Sequence, residues 1–327
     1  MSKIKKIAIV GLGKHSLQQI KLIQTCRPDI EINLLMDSNI SSYYRVLSTF
    51  NNKIKSEFSL NHSDILSNNI DLVYISTLAD SHVEIAEKLI DIGYKKNIII
   101  EKPISNSLKK AKRLEKKIKD LKWKGKIFLG FYRRYNLLFR EIYKLIKEEK
   151  LKSLKEINYY NPVEISMNGS HWIDFSNWIN NSKIKSVKSK LFWDQAPGRR
   201  GSKILDPYCD LKIVYENDVL FSINKFKNKD TLIEMIFDNG KVNIDYTEEC
   251  AEVTFFEKNL ITNLKKSKEK SFINFLEFIE KNNKELPSLK SGINVLEAVT
   301  AAHISDKTNR AFFYPIKNTQ SIDLDVG

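Results

Sequence analysis

"KKIAIVGLGKHSLQQIKLIQTC", residues 5–26, is the stretch on which the reading of the fold turns. Ile7 to Val10 make a short run that is apolar throughout, the pattern of a strand buried on both faces. A glycine turn follows at once, and then Leu17, Ile20 and Ile23 recur at helical spacing. Pro28 ends the helix, and EINLLMD, residues 31–37, supplies a second apolar strand. Strand, turn, helix and strand in this order predict a βαβ unit, and so a parallel sheet.

Outward from there the same alternation continues. A polar helix-like stretch leads to a weak strand near Glu57 and Phe58, and LVYIST, residues 72–77, is a clear buried strand. The helix SHVEIAEKLIDIG follows, with Gly93 placed as its C-terminal stop. IIIE, residues 98–101, is the next strand. KKAKRLEKKIKDLKWKGK, residues 109–126, sets Leu114, Ile118 and Leu121 among charges and predicts an amphipathic helix. KIFLGF, residues 126–131, is a further strand, and NLLFREIYKLIKEEK, residues 136–150, is a helix leading out.

Beyond residue 150 strands recur with few helices between them: EINYY, IKSVKSKLFW, LKIVYE, VLFSIN, TLIEMIF, KVNIDY and AEVTFFE. DNG, residues 238–240, reads as a hairpin turn. HWIDFSNWI, SFINFLEFIEKN and SGINVLEAVTAAHISDKTN read as helices. The predicted organisation is an α/β domain over residues 1–125 with a doubly wound parallel sheet. Strand 126–131 and helix 136–150 form a bridge. An α+β domain with a largely antiparallel open sheet covers 151–315, and a tail covers 316–327.

Composition narrows the classes. The chain has 327 residues, 42% hydrophobic and 29% charged, which fits a folded globular protein with two cores. No apolar run approaches the length of a membrane span. The N-terminus enters a strand with no signal-peptide pattern. The three cysteines are far apart and fit free thiols, so a cytoplasmic location is expected. The net charge of +14 is mostly lysine spread over helix-like segments, with no recognition motif for nucleic acid beside it. No nucleic acid or membrane partner is expected. No two histidines have metal-ligand spacing, so no metal is expected either.

The glycine turn carries the first chemistry. Gly11 and Gly13 occupy the first two positions of a G-x-G-x-x-G pattern, and Ser16, still a small residue, stands at the third. Such a turn, after a strand and before a helix, suits a dinucleotide pyrophosphate. Asp37 ends the second strand, where a carboxylate accepts ribose hydroxyls and repels a 2′-phosphate. NAD is therefore expected over NADP, although Arg45 weighs the other way. Lys14, His15, Ser76, Thr77, His82 and Glu101 stand at the tips of the same strands or just beyond them and complete the expected cofactor set.

The strand "IIIEKP" delivers Glu101, Lys102 and Pro103 together at its carboxyl end, the edge at which parallel sheets bind ligands. The proline restricts the lysine backbone and permits a cis bond. A lysine held there can polarise a substrate oxygen during hydride transfer.

With these motifs the chain resembles the Gfo/Idh/MocA oxidoreductases, the family of glucose-fructose oxidoreductase and inositol dehydrogenase. The resemblance rests on Gly11 and Gly13, "DLVYISTLADSHVEIAEKLIDIG", "IIIEKPIS", "GFYRRYN", the HxxD of "GSHWIDFSNWI" and the C-terminal "SGINVLEAVTAAHISDKTNRAFFYPI". It implies NAD(P)-dependent chemistry on a sugar-like alcohol, Lys102 as the catalytic lysine, and a second-domain sheet that mediates a homodimer or homotetramer. His171 is the expected acid/base, since a neutral imidazole can take a hydroxyl proton near neutral pH, and Asp174 is expected to orient it. One departure stands out: many relatives carry aspartate four residues before this histidine, and here that position is Met167. Tyr132, Arg134, Tyr160 and Asn168, with Arg199 and Arg200 of "APGRRGSK", are the expected substrate contacts. The expected function is hydride transfer between NAD and a secondary hydroxyl of a sugar, free or activated, in carbohydrate or surface-polysaccharide biosynthesis. An NAD-retaining glycoside hydrolase and a non-catalytic dinucleotide sensor are the alternatives.

Overall fold

The computed structural model describes residues 3–51, 53–195, 198–199, 204–224, 233–245, 250–258, 260–265 and 270–316. The chain divides into two units. One comprises Met1–Phe131 with Phe272–Ile293, the other Tyr132–Ser271 with Asn294–Val326.

The first unit opens with β1 (Lys6–Val10), α1 (Lys14–Cys26), β2 (Glu31–Met36), α2 (Ile40–Thr49), β3 (Glu57–Ser59) and α3 (Asp64–Ser67). It continues with β4 (Leu72–Ile75), α4 (Ala79–Asp91), β5 (Asn97–Ile100), α5 (Leu108–Asp120) and β6 (Ile127–Leu129). The strands lie in the order β3-β2-β1-β4-β5-β6, and every pairing is parallel. This is the doubly wound order of a Rossmann sheet, with its switch point between β1 and β4. The central strands read as continuous apolar runs because both their faces are buried: Ile7, Val73, Ile98 and Ile99 have no exposed surface.

Local chemistry sets the helix ends. Gly93, at φ +92°, closes α4, with its N–H on Ile90 O and that of Tyr94 on Leu89 O. Helix α5 stops at Asp120, short of the run to 126, because Lys122 turns to φ +47° and the Trp123 indole donates to Tyr94 O.

The second unit contains α6 (Leu137–Lys147), β7 (Leu154–Tyr159), α7 (Gly169–Asn180), β8 (Ile184–Phe192), β9 (Gly198–Arg199) and β10 (Ile204–Leu205). It also contains β11 (Tyr208–Tyr215), β12 (Leu220–Ile223), β13 (Ile233–Phe237), β14 (Gly240–Asp245), β15 (Cys250–Phe255) and β16 (Leu260–Lys265). Helix α8 (Ser271–Glu280), helix α9 (Leu289–Thr308) and β17 (Phe312–Phe313) complete the chain. Nine strands form one sheet, β16-β15-β14-β13-β7-β12-β11-β8-β17. All its pairs are antiparallel except β7 with β12. The expected hairpin at residues 238–240 joins β13 to β14, pairing Phe237 with Gly240. Ile157, Phe221, Met235, Ile213 and Val242 are buried along the sheet, and the positions beside them are mixed, with Asn158, Ser222 and Glu234 buried as well.

The sequence pattern assigned all of 151–315 to the second unit, whereas residues 272–293 group with the first. The cause is packing. Phe272 lies against Tyr74 and Phe275 against Phe128, while Glu280 forms a two-pronged pair with Arg27. Pro287 O also accepts from Leu129 N, covering the outer edge of β6. Among the described residues no helix is long and apolar enough to cross a membrane.

Candidate functional site

In the first unit the carboxyl ends of β1, β2, β4, β5 and β6 deliver the glycine turn, Asp37, Ser76, Glu101 and Gly130 to one edge of the sheet. Gly11 has φ +92°, and a Cβ there would lie 2.7 Å from the Ser76 carbonyl and the Thr77 nitrogen. Only glycine fits. Gly13 is the opposite case, since a Cβ on it would meet nothing within 4 Å. The backbone there faces open space, as close approach of a pyrophosphate requires. Ser16 is fully buried and returns its hydroxyl to Gly13 O at 2.8 Å, so serine suits the third position. Lys14 is exposed on the first turn of α1. Asp37 accepts from Leu12 N at 2.8 Å and from Asn39 N at 2.9 Å, which ties it to the glycine turn. Arg45 donates to Leu12 O at 2.7 Å, so its guanidinium braces the same turn.

Glu101 is a hub. Its Oε1 accepts from the Tyr74 hydroxyl at 2.7 Å and lies 3.0 Å from His15 Nε2; its Oε2 accepts from Lys102 N at 3.2 Å. The carboxylate is buried and packs where Gly130 has no side chain: a Cβ at 130 would sit 2.7 Å from Oε2. Burial opposes charge on the His15 ring, but the Glu101 carboxylate outweighs it and holds the ring above its usual pKa. Glu101, expected to touch the cofactor, here holds His15, Tyr74 and the lysine backbone. The Lys102–Pro103 bond is cis, the form the sequence permitted. His82 also departs from expectation. Its ring is 1% exposed, with Nδ1 2.9 Å from Pro103 O and Nε2 3.2 Å from Thr77 O. Both ring nitrogens face main-chain carbonyls, so the ring braces the protein in place of a cofactor.

In the second unit His171 lies in the first turn of α7. The loop ahead of it is held by acids. Asp206 accepts from Ser166 N at 3.0 Å and Met167 N at 2.7 Å, Glu164 O accepts from Gly169 N, and Asn168 Nδ2 donates to Glu164 Oε2 at 2.9 Å. Asp206 and Glu164 are both buried, and burial pushes the Asp206 carboxyl up. Asn168, read as a substrate contact, is engaged within this loop.

Arg134, expected to contact substrate, and Asp174, expected to orient His171, are brought together. They bind each other, Nε to Oδ2 at 2.7 Å and the terminal nitrogen to Oδ1 at 2.5 Å, and are 7% and 1% exposed. A buried charge must be paired, and each of these is the other's partner. Arg134 is thus held inside the unit, and Asp174 faces a guanidinium. Beside them Arg133 lies 3.7 Å over the Trp172 ring. The Tyr160 hydroxyl donates to Glu234 at 2.8 Å; burial and that carboxylate both push its pKa up. Tyr132 opens the short 3-10 turn Tyr132–Tyr135. Arg199 is described through its backbone, which pairs with Ile204, and Arg200 lies outside the described residues.

The sequence reading missed Tyr74, Gly130, Glu164 and Asp206. A tyrosine inside the otherwise aliphatic run LVYI, and acids flanked by Val163, Ile165 and Leu205, are the signals: a polar group in an apolar run needs a buried partner.

Residues 5–126 match the family model described as an oxidoreductase family, NAD-binding Rossmann fold, of Gfo/Idh/MocA type. The uncharacterized oxidoreductase YhhX of Escherichia coli (strain K12) is 34% identical over 99 residues, which cover 29% of this chain and only 27% of that protein. Among solved structures, an aldose-aldose oxidoreductase from Caulobacter crescentus aligns with a TM-score of 0.79 at 14% identity, covering 96% of this chain and all of that one. The transcriptional regulator Gal80p from Kluyveromyces lactis aligns with a TM-score of 0.75 at 16% identity, covering 95% of this chain and 92% of that one. At such identities the structural likeness is one of fold.

Proposed function

We propose that this chain, whose residues 5–126 match the NAD-binding Rossmann domain of the Gfo/Idh/MocA oxidoreductases, is an NAD-dependent oxidoreductase acting on a secondary hydroxyl or keto carbon of a sugar. The observation that carries the reading is the strand edge of the first unit. There the glycine turn leaves open space over Gly13, Asp37 is fixed beside the turn, and the lysine backbone is gripped by Glu101. These residues fit the cofactor. Each oxygen of Asp37 keeps a lone pair for a ribose hydroxyl, and its charge repels a 2′-phosphate, which favours NAD over NADP.

When bound, NAD supplies the hydride acceptor, and NADH the donor. In the proposed reaction Lys102 polarises the substrate oxygen with its ammonium group. His171 takes the hydroxyl proton during oxidation and returns it during reduction. The sugar class is supported by the likeness to an aldose-aldose oxidoreductase. The same reading has the chain acting in the cytoplasm and assembling as a homodimer or homotetramer through its nine-stranded sheet.

A dinucleotide-binding regulator without turnover is the second reading, favoured by Met167 and by the likeness to Gal80p. The test is NADH absorbance with a panel of free sugars, sugar acids, nucleotide sugars and their keto forms. Substrate-dependent change, cut sharply in Lys102→Ala and in His171→Ala while both still bind NAD, supports the enzyme. A flat response across the panel, with NAD bound, supports the regulator.

A further inference from the structure

His82 lies near the start of α4, and its imidazole is 1% exposed. Its two nitrogens lie 2.9 Å from Pro103 O and 3.2 Å from Thr77 O. Both partners are acceptors only, so a ring carrying one proton can donate to just one of them. The shorter contact is the one to Pro103 O, which we take as the donated bond. Burial in a protein interior favours the neutral ring and pushes its pKa down.

Pro103 immediately follows Lys102. On the other side of the lysine, the Glu101 carboxylate accepts from Lys102 N at 3.2 Å and is itself held by the Tyr74 hydroxyl. The lysine is thus bracketed along the backbone, by a carboxylate before its Cα and an imidazole after it. Thr77, on the far side of the ring, follows the tip of β4, so the imidazole lies between two neighbouring strand ends.

We infer that His82 is a positioning residue for Lys102: it fixes the carbonyl of Pro103, and so the backbone from which the lysine side chain projects. The inference rests on the proposed role of Lys102 in the reaction. It differs from a cofactor-binding role in what it leaves unchanged, because neither ring nitrogen remains for NAD.

The experiment is a double-mutant cycle on the full chain with His82→Leu, His82→Gln and Lys102→Ala. A displacement of about 1 Å at a reacting group costs on the order of 100-fold in rate. His82→Leu is therefore expected to lower kcat by about that factor, with the Kd for NAD within about twofold. His82→Gln, whose amide still donates to Pro103 O, recovers most of the loss. In the Lys102→Ala background His82→Leu has no further effect on kcat. An equal loss in that background, or a raised Kd for NAD with kcat unchanged, overturns the inference. Competitive acylation of lysine amines, read by mass spectrometry, needs no turnover and separates this inference from the proposed function. The reactivity of Lys102 relative to exposed Lys109 must change in His82→Leu and return toward wild type in His82→Gln. Unchanged relative labelling overturns the inference whether or not a substrate is found.

Discussion

Replacing Asp174 by alanine tests whether it serves chemistry or structure. The change leaves the Arg134 guanidinium, 7% exposed, without the two hydrogen bonds of 2.7 Å and 2.5 Å that it donates to the carboxylate. Removing one partner of a buried ion pair costs about 3–5 kcal/mol, most of it the penalty of an uncompensated charge. For a unit of this size each kcal/mol lowers the melting temperature by about 2–4 °C, so the expected fall is on the order of 10 °C. Replacing both members, Arg134→Met with Asp174→Leu, removes both charges and restores most of the stability. The assay is thermal unfolding of wild type, both single variants and the double variant, followed by circular dichroism, with an NAD titration of each. The singles should be far less stable than the double, and NAD affinity should be unchanged where the fold persists. An Asp174→Ala protein that melts with wild type yet has lost turnover refutes the reasoning and returns Asp174 to the chemistry of His171.

Gly13→Ala and Gly11→Ala should separate cofactor approach from fold. The Gly13 Cβ meets nothing within 4 Å, so that variant keeps wild-type stability and loses NAD affinity by at least about tenfold in calorimetric titration. The Gly11 Cβ meets backbone at 2.7 Å from a φ of +92°, so that variant loses about 1–3 kcal/mol of stability as well, seen by urea unfolding. His303, beside Trp193, is pushed down to about 4 by burial, against the opposing pull of Asp306. Because its folded pKa lies below the unfolded value, the unfolded chain binds the proton first. Stability therefore falls by up to about 3 kcal/mol as pH drops from about 6.5 to about 4. His303→Phe should flatten this slope in unfolding curves at pH 7 and pH 4.5, and an unchanged slope would place the titration elsewhere.

The parallel sheet was legible because its strands are apolar on both faces, and LVYI and NIII can hardly be read another way. The glycine turn was legible because the backbone at Gly11 takes a φ of +92°, a local requirement that glycine meets. Pairings distant in the chain were not. Arg134 and Asp174 are 40 residues apart, and nothing in "GFYRRYN" names a partner. The helix itself held the clue: WIDF sets a carboxylate between apolar residues, and an acid in such surroundings must be matched. Helix α8 was read as a helix but not assigned to its unit, because an apolar stripe has the same spacing whatever it packs against. Strand β16 was missed because Leu260–Lys265 mixes Thr262, Asn263 and Lys265 into a run too polar to announce itself.

Helix α8 and the segment after it bear on how the protein is made. The ribosome delivers the first unit through Phe131 and then about 140 further residues before Phe272 emerges. At about 5–20 residues per second that is an interval of roughly 7–30 seconds. Throughout it Tyr74 and Phe128 lack their aromatic neighbours, Arg27 lacks Glu280, and β6 has a bare outer edge. Until translation of the second unit is almost over, the nascent parallel sheet therefore exposes surface that only this last segment covers. A fragment ending near residue 131 keeps the same surface uncovered, so it should be less soluble and less stable than the same fragment carrying residues 272–293, as thermal unfolding of the two would show.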